Sequence, residues 1–185
     1  MSLTSASSRS EADCAVDPII SVDEHMEAQA LHWQEAASIL APVAAIVAEM
    51  HAHGELHLDL DPTQIWLNVV EGTVHLDPSV DERPLAHPAL NFTAPERFRD
   101  LAPGPEADVY SLGALLLHLA SGAVPFAGEN NNGAAATMAR ITEHSIPLHT
   151  LPSDVPEAMV ELIRLSMGKS PAKRQMTAQH LSLIH

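Results

Sequence analysis

The segment from Asp108 to Phe126 constrains the fold most, because its apolar residues occupy nearly every face of any helix it forms. Such a helix has no solvent side and has to be packed by other elements all round. Asp108 is a suitable N-cap, since its carboxylate can accept hydrogen bonds from the free amides of the next turn. Gly122 and Pro125 are a stop signal. The pattern predicts a buried central helix over 108–121, whose roughly 14 residues fall short of the roughly 20 that cross a bilayer.

The composition favours a helical domain with an aliphatic core. Hydrophobic residues make up 46% of the 185 residues, but aromatic residues make up only 3%. The core therefore has to consist of leucine, alanine, valine and isoleucine, which favours helix packing over an aromatic-rich β-sandwich. A chain of this length is expected to form one domain with a sizeable core.

The charge balance argues against several classes of partner. Lys and Arg total 9 against 24 Asp and Glu, which gives a net charge of -15. A surface of this sign repels phosphate backbones and anionic lipid, so we expect neither nucleic acid nor a membrane as a partner. The single cysteine, Cys14, permits no internal disulfide, and residues 1–15 lack the apolar segment of a signal peptide. Both features predict a cytoplasmic protein.

The remaining pattern predicts further helices and one small hairpin. Apolar residues recur at spacings of three and four from Trp33 to Met50, which indicates a helix that Gly54 ends and that Pro42 kinks or restarts. Two β-prone runs, residues 65–70 and 73–77, are joined across Glu71-Gly72 and predict the hairpin. Other helices are expected over about 21–31, with a capping box at Ser21 and Glu24, over about 134–143, 156–167 and 176–184, and near Pro95 within a long loop, 78–107.

Five short motifs follow one another along the chain. They are Met50-His-Ala-His-Gly-Glu-Leu-His-Leu-Asp-Leu-Asp-Pro62, then Asp77 after the hairpin, then Thr93-Ala-Pro-Glu-Arg97, Asp108-Val-Tyr-Ser-Leu-Gly113 and Ser170-Pro-Ala-Lys-Arg174. Their order and spacing resemble the C-terminal lobe of a eukaryotic-type Ser/Thr protein kinase, over residues 33–184. The resemblance implies a mainly α fold of the α+β class, in which a kinase-like C-lobe surrounds the central helix. We assign residues 21–185 to this lobe and residues 1–20 to a disordered lead-in.

The resemblance also implies roles for individual residues. Asp59 stands at the position of the family's catalytic base, and Asp77 at that of its magnesium ligand. Asp108 is expected to be a buried anchor that accepts hydrogen bonds from backbone amides of the catalytic loop. Glu96 and Arg174 are expected to form a buried ion pair that ties the activation segment to the last helices.

Departures from the family pattern predict that the chain is catalytically inactive. Phosphoryl transfer needs positive charge and metal ligands around the transferred phosphate. Leu58 stands at the position of the family's Arg, Asp61 at that of the Lys and Gln64 at that of the metal-binding Asn, and Pro78-Ser79 replaces Phe-Gly. A carboxylate at Asp61 adds repulsion where negative charge develops. We also expect no N-terminal lobe, since residues 1–32 contain neither a Gly-rich loop nor a Lys.

The predicted function is a regulatory or scaffolding role in signalling through protein contacts. No cofactor is expected, and ATP and Mg²⁺ are implied by the resemblance alone. Without an N-terminal lobe, an apolar face is uncovered near Leu56, Ile65, Trp66 and Leu76. We expect this face to dock a partner protein, the missing lobe or an adjacent domain.

Two alternatives stay open. The chain could be a fragment of a larger Ser/Thr kinase or hybrid sensor kinase that binds ATP and phosphorylates protein once its N-terminal lobe is present. It could instead be a metal-binding protein, because five potential ligands are close in sequence: His51, His53, His57, Asp59 and Asp61. We favour a structural position for His57 behind the catalytic loop, solvated positions for His51 and His53, and a core or rim position for His118.

Overall fold

The computed structural model describes residues 19–26, 31–78, 89–99, 102–128, 133–174 and 176–184. The predictions for residues 1–18, including Cys14, for 27–30 and for Ser79 lie outside this part of the chain. The strands are β1 (Ile19–Ser21), β2 (Ile65–Asn68) and β3 (Thr73–Leu76), and the α-helices are α1 (Val22–Met26), α2 (Trp33–Ala52), α3 (Pro105–Ser121), α4 (Gly133–Glu143), α5 (Glu157–Ser166) and α6 (Ala178–Leu181). Short 3-10 helices cover Pro62–Gln64, Ala89–Phe92, Pro95–Phe98, Leu148–Thr150 and Pro171–Lys173. The described chain is mainly helical with one small sheet, as the sequence predicts.

Helix α3 is the buried centre of the fold. Every residue from Ala107 to Ala120 is buried, and α2, α5 and α6 pack around the helix. Its C-terminal end is as predicted, because Gly122 adopts the left-handed conformation and its amide bonds to the carbonyl of His118. The predicted N-cap at Asp108 is wrong. The helix begins at Pro105, whose fixed φ and missing amide suit the first turn, so Asp108 lies inside that turn.

Helix α2 runs without interruption from Trp33 to Ala52. It therefore does not restart at Pro42, which was one of the two predicted possibilities. A proline inside a helix costs about 3 kcal/mol. Burial of the apolar face that α2 presents to α3 and α6 offsets this cost. By length and composition alone α2 could also span a membrane, but 44% of that window is buried inside the fold. The buried residues of α2 form one face of the core, so α2 is a core helix of this domain.

The sheet contains the predicted hairpin and one strand that the sequence does not predict. In the hairpin, Ile65 pairs with Leu76 and Asn68 with Thr73. Strand β1 adds to its other edge, where Ile20 pairs with Leu67. The expectation of a disordered lead-in is therefore wrong for residues 19 and 20. The capping box is present directly after β1, since Ser21 and Glu24 each accept a hydrogen bond from the backbone amide of the other.

The smaller helices follow the predicted pattern, with different lengths at the end of the chain. Helices α4 and α5 lie within about one residue of their predicted bounds. Helix α6 is a single turn, Ala178–Leu181, where a longer helix was expected over 176–184. It begins with Thr177 and His180 in a capping box. The short helix predicted near Pro95 is the 3-10 helix Pro95–Phe98.

Gly113 brings α3 into close contact with the end of α5. A Cβ at this position would lie 2.9 Å from the Cβ of Ser166 and would overlap its hydroxyl. We predict that Gly113→Ala lowers the free energy of unfolding by a net value of about 1–2 kcal/mol, because overpacking outweighs the gain of about 1 kcal/mol in helix propensity. Urea denaturation measures this change. The double variant Gly113→Ala/Ser166→Gly should recover part of it, and a stabilised Gly113→Ala would contradict the prediction.

Candidate functional site

The candidate site is built from the loop after α2, residues 55–64, and the end of β3. His57 is buried, and its Nε2 lies 2.9 Å from the backbone oxygen of Asp77. The amide of Asp77 donates to the carbonyl of Gln64 at 2.9 Å. The 55–64 loop, which carries Asp59 and Gln64, is therefore held beside Asp77. His57 occupies the structural position expected for it.

Asp108 fixes this loop to the central helix. Its carboxylate is fully buried and accepts hydrogen bonds from the amides of His57, at 2.9 Å, and of Leu58, at 2.6 Å. Its Oδ2 also lies 2.8 Å from Nε2 of His51. Three partners satisfy a carboxylate that would otherwise be costly to bury. The contacts to the loop amides are those that the resemblance implies, whereas the solvated position expected for His51 is wrong, since this side chain is mostly buried against Asp108.

Leu58 is held in an unfavourable backbone conformation by these contacts. Its φ is 63°, in the left-handed region that a branched apolar residue rarely adopts. The amide of Leu58 donates to Asp108, and its carbonyl accepts a hydrogen bond from Nη1 of Arg97. Both backbone groups are thus fixed from opposite sides, by the central helix and by the 3-10 helix that begins at Pro95. Such strain persists only where the surrounding structure determines it.

Glu96 and Arg174 form a buried, two-pronged ion pair. The distances are 2.6 Å from Nη1 to Oε1 and 2.7 Å from Nη2 to Oε2. Arg174 also donates from Nη1 to the carbonyl of Glu106, at 2.8 Å, and from Nε to that of Gly168, at 2.6 Å. Its guanidinium lies 5.0 Å from the ring centroid of Tyr110, a tyrosine whose pKa burial raises above the usual range. One side chain thus joins the Ala-Pro-Glu segment, the start of α3 and the region after α5.

Asp61 and Gln64 are buried and serve the local geometry of the loop. Oδ1 of Asp61 accepts hydrogen bonds from the amide and the hydroxyl of Thr63, at 2.7 and 2.6 Å, and so caps the 3-10 helix Pro62–Gln64. Nε2 of Gln64 lies 3.4 Å from the hydroxyl of Thr63, and its Oε1 has no hydrogen-bond partner among the described residues. The sequence analysis identified Asp61 and Gln64 as departures from the family pattern. It did not predict that both side chains are buried.

The carboxylate of Asp77 has a partner that the sequence did not indicate. Nε1 of Trp66, on β2, donates to Oδ2 of Asp77 at 3.0 Å. Trp66 pairs with His75 across the hairpin, so this contact depends on the strand register. Asp59 is half-buried in the loop, and its amide lies 3.4 Å from Nδ1 of His57.

The histidines and aspartates proposed as metal ligands are separated by their own partners. His51 bonds to Asp108, Nδ1 of His53 to the carbonyl of Glu49 at 2.8 Å, and His57 to the backbone of Asp77. Within the described ranges, no three His, Cys, Asp or Glu side chains form a group that could hold a metal ion. The geometry therefore gives the metal-binding alternative no support.

The two anchors of this site can be tested by truncation. We predict that Asp108→Ala and Arg174→Ala each lower the free energy of unfolding by about 3–5 kcal/mol, because each leaves buried polar or charged groups without their partner. Loss of this size takes most of the stability of a small domain, so aggregation is expected. Urea denaturation and light scattering measure both effects. Arg164→Ala is the matched control, since Arg164 pairs with Glu161 on the surface and should contribute less than about 1 kcal/mol. Wild-type-like melting temperatures for the two anchor variants would contradict the prediction.

His118 lies in the core, as expected, with its ring edge-on to Phe92 at 5.5 Å between centroids. Burial lowers the pKa of His118 below its usual value of about 6.5. The unfolded chain then binds a proton at a higher pH than the folded chain does, so stability is lost as the pH falls below about 6.5. We predict that the wild type loses more of its melting temperature between about pH 8 and about pH 5 than His118→Leu does. The contributions of the other histidines are the same in both proteins and cancel in this comparison. An equal fall in melting temperature in the wild type and in His118→Leu would contradict the prediction.

Comparison with known proteins identifies the fold that carries these contacts. The profile of the protein kinase domain family matches residues 80–183. The chain is 29% identical over 165 residues to a probable serine/threonine-protein kinase of Clostridium perfringens, which covers 84% of this chain and 24% of the relative. It is 32% identical over 164 residues to the serine/threonine-protein kinase PknK of Mycobacterium tuberculosis, which covers 80% of this chain and 14% of the relative.

A eukaryotic kinase is similar to this chain to the same degree as the bacterial ones. Ribosomal protein S6 kinase alpha-4 of Mus musculus is 31% identical over 170 residues, which cover 82% of this chain and 22% of that protein. The chain thus spans about a quarter or less of the length of these relatives. Because the family profile matches more than half of its residues, the chain belongs to the protein kinase domain family.

Proposed function

We propose that this chain is a kinase-like C-terminal lobe without phosphoryl-transfer activity, and that it acts in signalling by binding another protein. Membership of the kinase family and the helical architecture around α3 support the structural part of the proposal. A cytoplasmic location belongs to the same proposal and is supported by the charge and cysteine content.

The observation that carries the proposal of inactivity is the environment of Asp61. In the family, a Lys at this position helps to neutralise the transferred phosphate. Asp61 places a carboxylate there, only 2% exposed, and both of its hydrogen bonds go to Thr63. A negative charge fixed at this point would repel the phosphate as its charge develops. The loop resembles a catalytic loop in sequence but carries the opposite charge at this position.

The residues at the family's magnesium positions do not fit a nucleotide-bound metal ion. One carboxylate oxygen of Asp77 already accepts the indole hydrogen of Trp66. Gln64 has an amide oxygen, as the family's Asn does, but its side chain is one methylene longer and its Oε1 is buried. Neither ATP nor a metal ion is therefore part of the proposed function.

The proposed docking face lies beside the hairpin. Leu56 and Leu76 are half-buried at a hollow of about 460 Å³ that also borders Asp77, and Trp66 is half-buried on β2. Ile65 does not belong to this face, because its side chain points inward and is fully buried. We propose that a partner protein or an adjoining domain covers the remaining apolar surface.

A second candidate function follows from the length of the relatives. The chain spans 24% or less of those proteins, which are kinases by name, the two bacterial ones serine/threonine-protein kinases. It could correspond to part of a larger Ser/Thr kinase or hybrid sensor kinase that binds ATP and phosphorylates protein with an N-terminal lobe in place. Under this alternative, Asp59 and Asp77 are the residues expected to carry the activity.

A thermal-shift titration with ATP and Mg²⁺ or Mn²⁺ tests whether the chain itself binds a nucleotide. A one-site ligand at about 100 times its dissociation constant stabilises the folded state by about 2.7 kcal/mol. We expect no shift for the wild type. Asp77→Asn is the matched control, because it removes the charge but keeps an oxygen for the indole of Trp66. A shift in the wild type that Asp77→Asn abolishes would contradict a nucleotide-free site, favour the alternative and make a kinase assay the next step.

A further inference from the structure

A pocket beyond the C-terminal end of α3 has a composition unlike that of the whole chain. It lies between residues 123–127, which follow α3, and residues 140–150, at the end of α4 and beyond, and we call it the α3–α4 pocket. Its volume is about 530 Å³, which is in the range of small binding sites. None of its lining residues belongs to the hairpin or to the 55–64 loop. It is therefore separate from the docking face proposed above.

The pocket presents one fixed guanidinium. Nε of Arg140 donates to the carbonyl of Phe126 at 2.7 Å, and its Nη2 donates to the hydroxyl of Thr137 at 2.8 Å. The third nitrogen, Nη1, takes part in neither bond and lies 2.9 Å from where a Cβ on Gly128 would be. A glycine at this position leaves room for the guanidinium. Arg140 is thus positioned before any ligand binds, which lowers the entropy cost of using it.

The wall beside Arg140 is strained and rigid. Phe126 has a φ of 55°, which is unfavourable for an aromatic residue. The turn is fixed by Arg140 and by Nδ2 of Asn91, which donates to the carbonyl of Pro125 at 2.6 Å. Nζ of Lys169 lies 4.3 Å from the centroid of the Phe126 ring and donates to the carbonyl of Ile141. Backbone strain of this kind is concentrated at binding sites.

The charge of the lining is opposite to that of the chain. The pocket is lined by Arg140, two exposed histidines, His144 and His149, and two hydroxyl residues, and none of its described lining residues carries a carboxylate. The nearest acidic neighbour in sequence, Glu143, borders an adjoining hollow, which shares His144 and Ser145 with the pocket and also borders Lys169. Burial lowers the pKa of Lys169 to about 8, so this amine is still mainly charged at neutral pH. In a chain with a net charge of -15, this combination favours an acidic ligand.

The apolar part of the lining narrows the ligand class. Val124 is 41% exposed, and Ala127 and Pro147 also line the pocket. A free inorganic anion gains nothing from such a surface, whereas a peptide offers apolar and acidic side chains together. We propose that the α3–α4 pocket binds a short acidic segment of a partner protein, with a carboxylate side chain on Arg140 and an apolar side chain against Val124 and Pro147.

The test uses the purified full chain and a fluorescein-labelled peptide of alternating glutamate and valine. In a second peptide, glutamine replaces every glutamate. Binding is followed by fluorescence anisotropy at an ionic strength of about 0.15 M, which screens the field of the acidic chain beyond about 8 Å. We expect the glutamate peptide to bind about tenfold more tightly than the glutamine peptide, which corresponds to about 1.4 kcal/mol.

Ala127→Glu is the diagnostic variant, because Ala127 is exposed in the pocket wall and its side chain makes no hydrogen bond. Ala172→Glu is the matched control, an exposed alanine outside the pocket with the same change in charge. Ala127→Glu should weaken binding of the glutamate peptide about tenfold, and Ala172→Glu by less than about twofold. Arg140→Gln should give a loss similar to that of Ala127→Glu, provided that its melting temperature shows a folded protein.

Equal affinities for the two peptides, or equal losses in Ala127→Glu and Ala172→Glu, would overturn the proposal. Equal peptide binding together with displacement by inorganic phosphate would indicate a site for free anions and would also overturn it. Self-association that Ala127→Glu abolishes, without peptide binding, would make a second copy of this chain the occupant instead of a partner segment. None of these outcomes depends on the ATP titration, which reports on the 55–64 loop.

Discussion

The buried carboxylate of Asp108 is the contact on which the candidate site depends. A charge that is fully removed from water is tolerated only when hydrogen bonds replace its hydration. The amides of His57 and Leu58 and the ring of His51 supply these bonds. Because Asp108 lies in the first turn of α3, the positive end of the helix dipole also favours its charge. The central helix therefore determines where the loop after α2 has to run.

The ion pair between Glu96 and Arg174 fixes the other side of the same framework. It connects the 3-10 helix Pro95–Phe98 to the end of the chain, and Arg97 of that helix bonds to the carbonyl of Leu58. Asp108 and the Glu96–Arg174 pair both act through buried polar contacts within the protein, and these contacts do not require a bound nucleotide. Such contacts can be kept while the residues that handle phosphate change. Asp61 illustrates this, since its carboxylate caps a turn and disturbs neither anchor.

The features predictable from the sequence are those with a local signal or a recognisable motif. Gly122 ends α3, and alternation around Glu71-Gly72 predicts the hairpin. The motifs led to the contacts of Asp108, Glu96 and Arg174 only through the resemblance, because no local pattern specifies partners about 50 to 80 residues apart. Strand β1 has three residues and exists only by pairing with β2, so its own sequence carried no sign of it.

The start of α3 and the position of His51 were missed for different reasons. The run of prolines and charges before Asp108 indicates a loop, yet Pro105 is well suited to the first helical turn. His51 lies in the last turn of α2, a position that is exposed in an isolated helix. It is buried because α3 packs against it. The start of α3 thus follows a local signal that was overlooked, whereas the position of His51 depends on its tertiary contact with Asp108.

The few basic residues of this chain show how its functions are divided. Lys and Arg number only 9, so each position where they are buried or held in place is informative. Arg97 and Arg174 bond within the framework of the candidate site. Arg140 and Lys169 flank Phe126 at the α3–α4 pocket. The position where a kinase needs a lysine for its phosphate holds Asp61 instead. Positive charge thus lies within the folding framework and at a separate surface, which supports the proposal that the domain binds a protein without transferring phosphate.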